Sequence, residues 1–95
     1  MSQQVAYKVR ITGRVQGVGY RAWTVGQAKR RNISGWVRNR LDGSVEAVFK
    51  GEPRAVEELL SKCLEGPMVA AVNQIFKEPL EEEVEQGFHQ LPTTD

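Results

Sequence analysis

Two residue types that build many catalytic centres are almost absent from this 95-residue sequence. It contains one cysteine, Cys63, and one histidine, His89. A disulfide within the chain and a cysteine-rich zinc site are therefore impossible. A Cys–His catalytic dyad or a Ser–His–Asp triad would have to use His89. We expect Cys63 to be a buried, unreactive thiol and His89 a surface residue. The sequence predicts neither a bound metal nor a cofactor.

Long apolar segments are also missing. No hydrophobic run approaches the roughly 20 residues that cross a membrane, and Met1–Gln4 does not begin a signal peptide. We therefore expect a cytoplasmic monomer with no membrane partner. Hydrophobic residues make up 40% of the chain and charged residues 26%, which is typical of a folded globular protein. A chain of this length predicts one domain over residues 1–95.

The net charge of +1 conceals an uneven distribution along the chain. Residues 1–50 carry ten Lys or Arg against two Asp or Glu, a net charge of +8, whereas residues 51–95 carry a net charge of −7. A basic first half indicates an anionic ligand. A solvated pattern whose two halves interleave in the fold explains the same asymmetry, and charge by itself favours that simpler explanation.

Hydrophobic periodicity predicts five strands and two helices. Strict alternation from Val5 to Val15 is typical of a half-buried strand, and helical spacing over 20–31 and 56–64 indicates two helices. The Asp-Gly pair at 42–43 predicts a hairpin turn. The other predicted strands are 36–39, 45–50, 69–77 and 87–91, with connections at 32–35 and 78–85. This order predicts a ferredoxin-like βαββαβ α+β sandwich, whose mainly antiparallel sheet of four or five strands has both helices on one face.

A glycine-rich segment joins the first predicted strand to the first predicted helix. It reads Gly-Arg-Val-Gln-Gly-Val-Gly-Tyr-Arg from Gly13 to Arg21. Glycines allow a sharp turn whose successive backbone N–H groups form a concave anion site, and the helix N-terminus adds partial positive charge. Arg21, in the first helical turn, can bind two phosphate oxygens with its planar guanidinium. The spacing matches neither a Walker A motif nor a dinucleotide fingerprint, and a glycine-rich turn without a ligand is an equally good explanation.

Two motifs resemble those of the acylphosphatase family. The first is Gly-x-Val-Gln-Gly-Val-x-Tyr-Arg over 13–21, and the second is Gly-x-Val-x-Asn over 35–39 followed by Asp-Gly-Ser-Val-Glu over 42–46. The resemblance covers nearly the whole chain, and its length and predicted element order agree with the family's ferredoxin-like fold. The chain departs from the family pattern at Asn32, where the family more often has glycine. We expect this to be a local backbone difference.

The resemblance implies metal-independent hydrolysis of acyl phosphates to a carboxylate and inorganic phosphate. It carries the family's catalytic arginine onto Arg21, and its catalytic asparagine, which positions the attacking water, onto Asn39. The implied partners are a small acyl phosphate as substrate and phosphate or sulfate as a bound anion. The implied phosphate-binding backbone is Gln16, Gly17, Val18, Gly19 and Tyr20.

Simpler structural roles remain open for both catalytic candidates. Arg21 can be a helix-surface arginine, and Asn39 can be a residue that flanks the hairpin, since asparagine favours turns. The preceding loop and the family motifs favour catalysis. We expect Arg14, Arg38 and Arg40 to be solvated, in positions where they steer an anionic substrate without touching it.

Two other functions fit parts of the sequence. One is an acyl- or carbamoyl-phosphate-handling domain like those fused at the N-terminus of hydrogenase-maturation carbamoyltransferases, but no zinc-finger-like cysteine cluster follows here. The other is nucleic-acid binding, because RNA-recognition motifs share the topology and use aromatic residues on the exposed faces of two central strands. Those faces here carry Lys8, Arg10, Thr12, Glu46, Val48 and Lys50. We therefore expect no nucleic-acid partner.

Overall fold

Five strands and two helices make up the structure, a computed structural model that describes residues 3–95. Met1 and Ser2, which belong to the predicted domain, lie outside the described residues. The ferredoxin-like α+β fold predicted from the periodicity is confirmed. The elements are β1 (Val5–Arg14), α1 (Tyr20–Arg30), β2 (Ser34–Asn39), β3 (Val45–Gly51), α2 (Pro53–Glu65), β4 (Ala71–Pro79) and β5 (Phe88–Gln90).

The boundaries of β1, α1, β3 and β5 lie within one residue of the sequence prediction, whereas β2 and β4 differ from it by two residues. Strand β4 lies two residues further along the chain than predicted, so Glu78 is in a strand rather than in the acidic connection. The cause is its pairing with β1, which extends as far as Pro79 opposite Tyr7. Strand β2 begins at Ser34, because Asn32 reverses the chain directly after α1 with a φ of 55°. Asparagine adopts this left-handed conformation more readily than most residues, which explains its presence where the family pattern has glycine.

The sheet topology brings the ends of two distant strands together. The strand order is β4-β1-β3-β2-β5. Strands β1 and β2 both pair antiparallel with β3, which lies between them, so they run parallel to each other. Helix α1 connects β1 to β2 in the manner of a βαβ unit. The carboxyl ends of β1 and β2 and the N-terminus of α1 therefore lie at the same edge of the sheet.

Both helices pack on one face of the sheet and enclose the core. Helix α1 buries Tyr20, Thr24 and Ala28 against the sheet. The sheet contributes Val9, Ile11, Val37, Val45, Ala47 and Phe49, and α2 contributes Val56, Leu59 and Cys63. No helix within residues 3–95 combines the length and the apolar character needed to cross a membrane.

A hydrogen bond across the core joins the two helices. The Tyr20 hydroxyl donates to the Cys63 backbone carbonyl at 2.6 Å. Cys63 is fully buried, as expected. Burial raises the pKa of its thiol to about 12, so the thiol remains protonated and unreactive at neutral pH.

Candidate active site

The loop between β1 and α1 exposes backbone rather than side chains. Gly17 and Gly19 have φ values of 73° and 78°, a conformation that residues with a Cβ rarely adopt. Val18 packs against the core, so its side chain is turned away from the surface. Within residues 3–95, the hydrogen bonds formed by loop backbone use no N–H of the four residues 16–19 as a donor. These donors are available to an external acceptor.

Helix α1 starts with an uncompensated positive end. Gly19 is its N-cap, no side chain caps the first turn, and that turn contains no acidic residue. The free N–H groups at a helix start carry a partial positive charge, which an acidic side chain usually balances. Here the second helical residue is instead Arg21, which is half-buried and takes part in none of the six ion pairs within residues 3–95. A bound anion would relieve this local excess of positive charge.

Asn39 occupies the carboxyl end of β2, on the face that the helices cover. It alternates with buried Val37 and is itself only 9% exposed. Its side-chain oxygen, Oδ1, is buried and has no hydrogen-bond partner within residues 3–95. A buried polar atom left unpaired costs about 1–3 kcal/mol. Such a group is unusual in a folded protein and is typical of positions that serve a function.

The side chain of Gln16 links the loop to the β2–β3 hairpin. Its amide nitrogen, Nε2, donates to the backbone carbonyl of Arg40 at 2.7 Å and to that of Ser44 at 2.8 Å. Arg40 directly follows Asn39 in the chain. The loop that begins α1 and the strand end that carries Asn39 are therefore in direct hydrogen-bonded contact.

A second group of charges, which we call the Glu46 cluster, lies on the face of the sheet away from the helices. Glu46 is 4% exposed, and its carboxylate contacts Arg38 at 2.8 Å, Arg40 at 3.2 Å and Lys8 at 3.3 Å. Burial by itself raises the pKa of Glu46, but hydrogen bonds from Arg38 and Lys8 outweigh it and hold the pKa below its usual value. The expectation that Arg38 and Arg40 are solvated is wrong, because both are half-buried and bound to this carboxylate.

One surface groove of the described residues lies over this cluster and not at the loop. It has a volume of about 390 Å³, and its charged lining includes Lys8, Arg10, Arg40, Asp42 and Glu46. Arg10 pairs with Asp42 at 2.8 Å, and Lys8 and Arg40 pair with Glu46. An anion entering the groove would have to compete with these carboxylates for the three cations. Lys77 also lines the groove, with its ammonium group over the Tyr7 ring at 4.7 Å from the ring centroid.

The structure brings the predicted site residues to one edge of the sheet. Gln16, Gly17, Val18 and Gly19 form the loop, Arg21 follows in α1, and Asn39 lies at the end of β2. Tyr20 contributes only backbone, since its side chain is buried and bonded to Cys63. His89 is exposed on β5, beside Glu85 and opposite Trp36 of β2. Within residues 3–95, no three His, Cys, Asp or Glu side chains are grouped closely enough to hold a metal ion.

Sequence reasoning missed two contributors to this region. The buried state of Glu46 depends on cations from β1 and β2 that converge on β3, and only the register of the three strands reveals that convergence. The bonds of the Gln16 side chain span 24 and 28 residues of sequence, so no local pattern predicts them. The motif Asp-Gly-Ser-Val-Glu over 42–46 was the available signal for Glu46.

Comparison with known proteins gives a consistent result. A family model described as Acylphosphatase matches residues 7–90. The protein named Acylphosphatase in Nitrobacter winogradskyi is 46% identical over 96 residues, which cover 95% of this chain and 97% of that protein. The protein of the same name in Rhodospirillum rubrum is 49% identical over 85 residues, which cover 90% of this chain and 93% of that protein.

Solved structures show the same similarity in three dimensions. An acylphosphatase from Coxiella burnetii superposes with a TM-score of 0.89 at 32% identity and covers 93% of each chain. An acylphosphatase from Bacillus subtilis gives a TM-score of 0.88 at 30% identity, covering 94% of this chain and 99% of that one. Full-length HypF in its phosphate- and nucleotide-bound form gives 0.91 at 26% identity, and the match covers all of this chain but 13% of HypF.

Proposed function

The chain belongs to the acylphosphatase family, and from that membership we propose that Arg21 holds the phosphate of an acyl phosphate while Asn39 orients the attacking water. The reaction itself is hydrolysis of the carboxyl–phosphate bond. Water adds to phosphorus as the bond from phosphorus to the carboxylate oxygen breaks. The products are a carboxylate and inorganic phosphate, and the water proton passes to a phosphate oxygen.

The chemistry demands little beyond positioning and charge stabilisation. An acyl phosphate is an activated mixed anhydride, and its leaving group is a stable carboxylate. The enzyme therefore needs neither a covalent nucleophile nor a strong base, but it must hold a dianion, align the water and stabilise charge on the equatorial oxygens. The site contains no His or Cys, which fits this requirement.

We assign the phosphate to the backbone of residues 16–20 and to Arg21. The free N–H groups of the loop and the uncapped start of α1 supply fixed donors. The Arg21 guanidinium supplies a planar pair of donors and a full positive charge, which it shares with no carboxylate of the described chain. Together these groups match a tetrahedral dianion and the charge that develops on it.

We assign the water to Asn39. Its side chain is neutral, so it can hold water close to the phosphate without repelling it. A rotation of 180° about the last side-chain torsion exchanges the amide oxygen and nitrogen, so this residue can offer water an acceptor or a donor. The observation that carries the proposal is the contact between loop and hairpin through Gln16, which places the end of β2 beside the phosphate loop.

Metal independence and cellular setting are further parts of the proposal. The groups assigned above to the phosphate are backbone N–H and guanidinium, and neither is a metal ligand. We propose that residues 1–95 act as a single domain and as a monomer in the cytoplasm, without a nucleic-acid partner. The likeness to HypF leaves open a role as one domain of a longer protein, but relatives matched over nearly their whole length favour free-standing hydrolysis.

The direct experiment is an assay of acetyl phosphate hydrolysis with and without a chelator. We expect the same rate in both conditions, with inorganic phosphate as a competitive inhibitor. A phosphomonoester such as p-nitrophenyl phosphate should react far more slowly, because its leaving group is poorer and no group of the site can protonate it. A rate that collapses with chelator and returns with a divalent cation would contradict the metal-free proposal.

A further inference from the structure

The contact between Gln16 and the hairpin lies where the sheet no longer holds the two parts together. Backbone pairing between β1 and β3 ends at Ile11 opposite Val45. Beyond that point β1 pairs with β4 only, after an irregularity between Thr12 and Gly13. The loop and the hairpin therefore leave the sheet side by side without a shared backbone ladder. The Gln16 side chain bridges this gap.

The bridge needs a side chain with at least two N–H donors, which the primary amide of Gln16 supplies. Gln16 Nε2 carries two N–H groups and donates to the backbone carbonyls of Arg40 and Ser44. These two residues face each other where the turn of the β2–β3 hairpin begins and ends, and we call this pair the hairpin neck. The same neck is closed by the Arg40 N–H, which donates to the Ser44 carbonyl at 2.9 Å. A hydroxyl group has a single proton and cannot donate to both carbonyls at once. The amide thus fixes the loop against the neck in one orientation.

We propose that Gln16 is a positioning residue, whose side-chain amide sets the distance between the phosphate held by the loop and the water held by Asn39. This inference rests on the proposed function. Arg40 directly follows Asn39, so a shift of the neck relative to the loop moves Asn39 relative to the phosphate. Misplacement of reacting groups by about 1 Å can cost on the order of 10²-fold in rate. The loop backbone that binds phosphate belongs to the same segment as Gln16 and needs no contact with the hairpin.

Removal of this amide should leave the fold intact. The Arg40 carbonyl also accepts a hydrogen bond from the Gly43 N–H at 3.1 Å, and the Ser44 carbonyl keeps its bond from the Arg40 N–H. Neither carbonyl loses its last partner when the Gln16 side chain is replaced. The variants therefore report on position rather than on unfolding.

The first test is Gln16→Met, which keeps the length of the side chain and removes both donors. We expect kcat for acetyl phosphate to fall by about 10-fold or more, with the inhibition constant of inorganic phosphate changed by less than about threefold. Gln74→Met, on the exposed edge strand β4, is the matched control and should leave both values unchanged.

The second test is Gln16→Glu, followed across pH. An ionised carboxylate faces two carbonyl oxygens and repels them, whereas the protonated acid donates one hydrogen bond. We expect the activity of Gln16→Glu relative to that of the natural sequence to rise as pH falls. Repulsion between the ionised carboxylate of the Gln16→Glu variant and the bound phosphate would also lower activity at high pH, but it would weaken phosphate inhibition in parallel, so the inhibition constant is measured at each pH.

Three outcomes overturn the inference. One is a kcat of Gln16→Met within twofold of the natural sequence, and another is a pH-independent ratio for Gln16→Glu. The third is a phosphate inhibition constant that weakens in parallel with kcat, which would make Gln16 part of the phosphate cradle. Failure of the proposed function looks different, because Arg21→Ala and Asn39→Ala would then retain activity whatever Gln16 does.

Discussion

The two helices offer a comparison within one molecule, because each has an arginine as its second residue. In α1 this is Arg21, after Gly19, and in α2 it is Arg54, after Glu52 and Pro53. Neither helix start is capped by a side chain. Arg21 is half-buried, whereas Arg54 is exposed. The same cation thus stands at the same helical position in two different settings.

The difference between the two helix starts lies in the chain that precedes each helix, and it is the reason that we propose an anion site only at α1. A single residue separates β3 from α2, so no loop can wrap around a ligand there. Pro53 has no N–H to donate, and the carboxylate of Glu52 lies at the positive end of the helix. Five residues precede α1, two of them glycines with positive φ and none of them acidic. Only the start of α1 combines free donors with unbalanced positive charge.

Replacing each arginine by alanine is the most direct test of the difference between the two helix starts. We expect Arg21→Ala to lower kcat/KM for acetyl phosphate by about 10²-fold or more, since two charge-assisted hydrogen bonds of about 1.5–3 kcal/mol each are lost. Arg54→Ala should stay within twofold of the natural sequence. Steady-state kinetics on both variants measures the difference.

A lysine at the same position tests whether geometry or charge matters. Arg21→Lys should recover little of the lost activity, because an ammonium group lacks the planar pair of donors. Near-normal turnover in Arg21→Lys would show that a point charge is sufficient. Equal losses in Arg21→Ala and Arg54→Ala would remove the distinction between the two helix starts.

Asn39, on β2 and outside both helices, allows turnover to be tested separately from phosphate binding. Asn39→Ala should lower kcat by about 10²-fold, the scale of losing one positioned polar group, while the inhibition constant for phosphate stays nearly constant. Stability should change little, because the substitution also removes the unpaired Oδ1. Kinetics with phosphate inhibition, together with thermal unfolding, measures all three values. Parallel loss of turnover and phosphate binding would instead make Asn39 a binding residue.

Anion binding by itself should distinguish the two helix starts without any substitution. We expect titration with phosphate to shift the amide NMR signals of residues 16–22 and to leave those of 53–57 unchanged. At a concentration 100 times the dissociation constant, bound phosphate should stabilise the fold by about 2.7 kcal/mol. Thermal unfolding should show this gain in Arg54→Ala and not in Arg21→Ala. Shifts that map to Arg38 and Arg40 instead would move the anion site to the open face of the sheet.

The smallest effect concerns the Glu46 cluster, the other concentration of cations. Because the pKa of Glu46 is lowered in the folded state, its ionised form stabilises the fold above its usual pKa, and this contribution is lost as pH falls through the lowered value. Glu46→Gln should therefore cost about 1–2 kcal/mol at pH 7 and less under acidic conditions. Denaturant unfolding at several pH values measures this difference.

The inhibition constant of phosphate for Glu46→Gln tests whether the cations of the Glu46 cluster bind the anion. Glu46→Gln frees Lys8, Arg38 and Arg40 from their carboxylate, yet we expect the inhibition constant for phosphate to stay within about twofold. These side chains lie on the face of the sheet away from the helices, whereas the free N–H groups of the loop lie at the start of α1. Markedly tighter phosphate inhibition would show that the open face competes with the loop for the anion.

Much of the fold could be predicted from the sequence because its causes are local. Val9 and Ile11 alternate with polar residues along β1, and both are buried. Tyr20, Thr24 and Ala28 have helical spacing in α1, and they are buried as well. Element boundaries were less predictable, as the shift of β4 shows. Both faces of that strand carry apolar residues, so its extent depends on pairing with β1 rather than on its own pattern.

The conformation of the glycine loop could likewise be predicted from the sequence, whereas the prediction that Arg38 and Arg40 are solvated was wrong. Positive φ at Gly17 and Gly19 and the uncapped start of α1 follow from neighbouring residues alone. Arg38 and Arg40 looked solvated because their partner is on a different strand. The Glu46 carboxylate contacts cations on neighbouring strands, and the residue spacing within one strand does not predict such contacts.

The sequence by itself determined the element order, the glycine loop and the arginine that follows it, because backbone conformation and helix ends depend on adjacent residues. The tertiary structure decided that the end of β2, which carries Asn39, lies at the same edge of the sheet as that loop. Strands β1 and β2 are parallel and separated by β3, so their carboxyl ends share one edge of the sheet. The Gln16 amide then joins the two parts across that edge. Such proximity depends on which strands pair and in which direction, and those are properties of the whole chain.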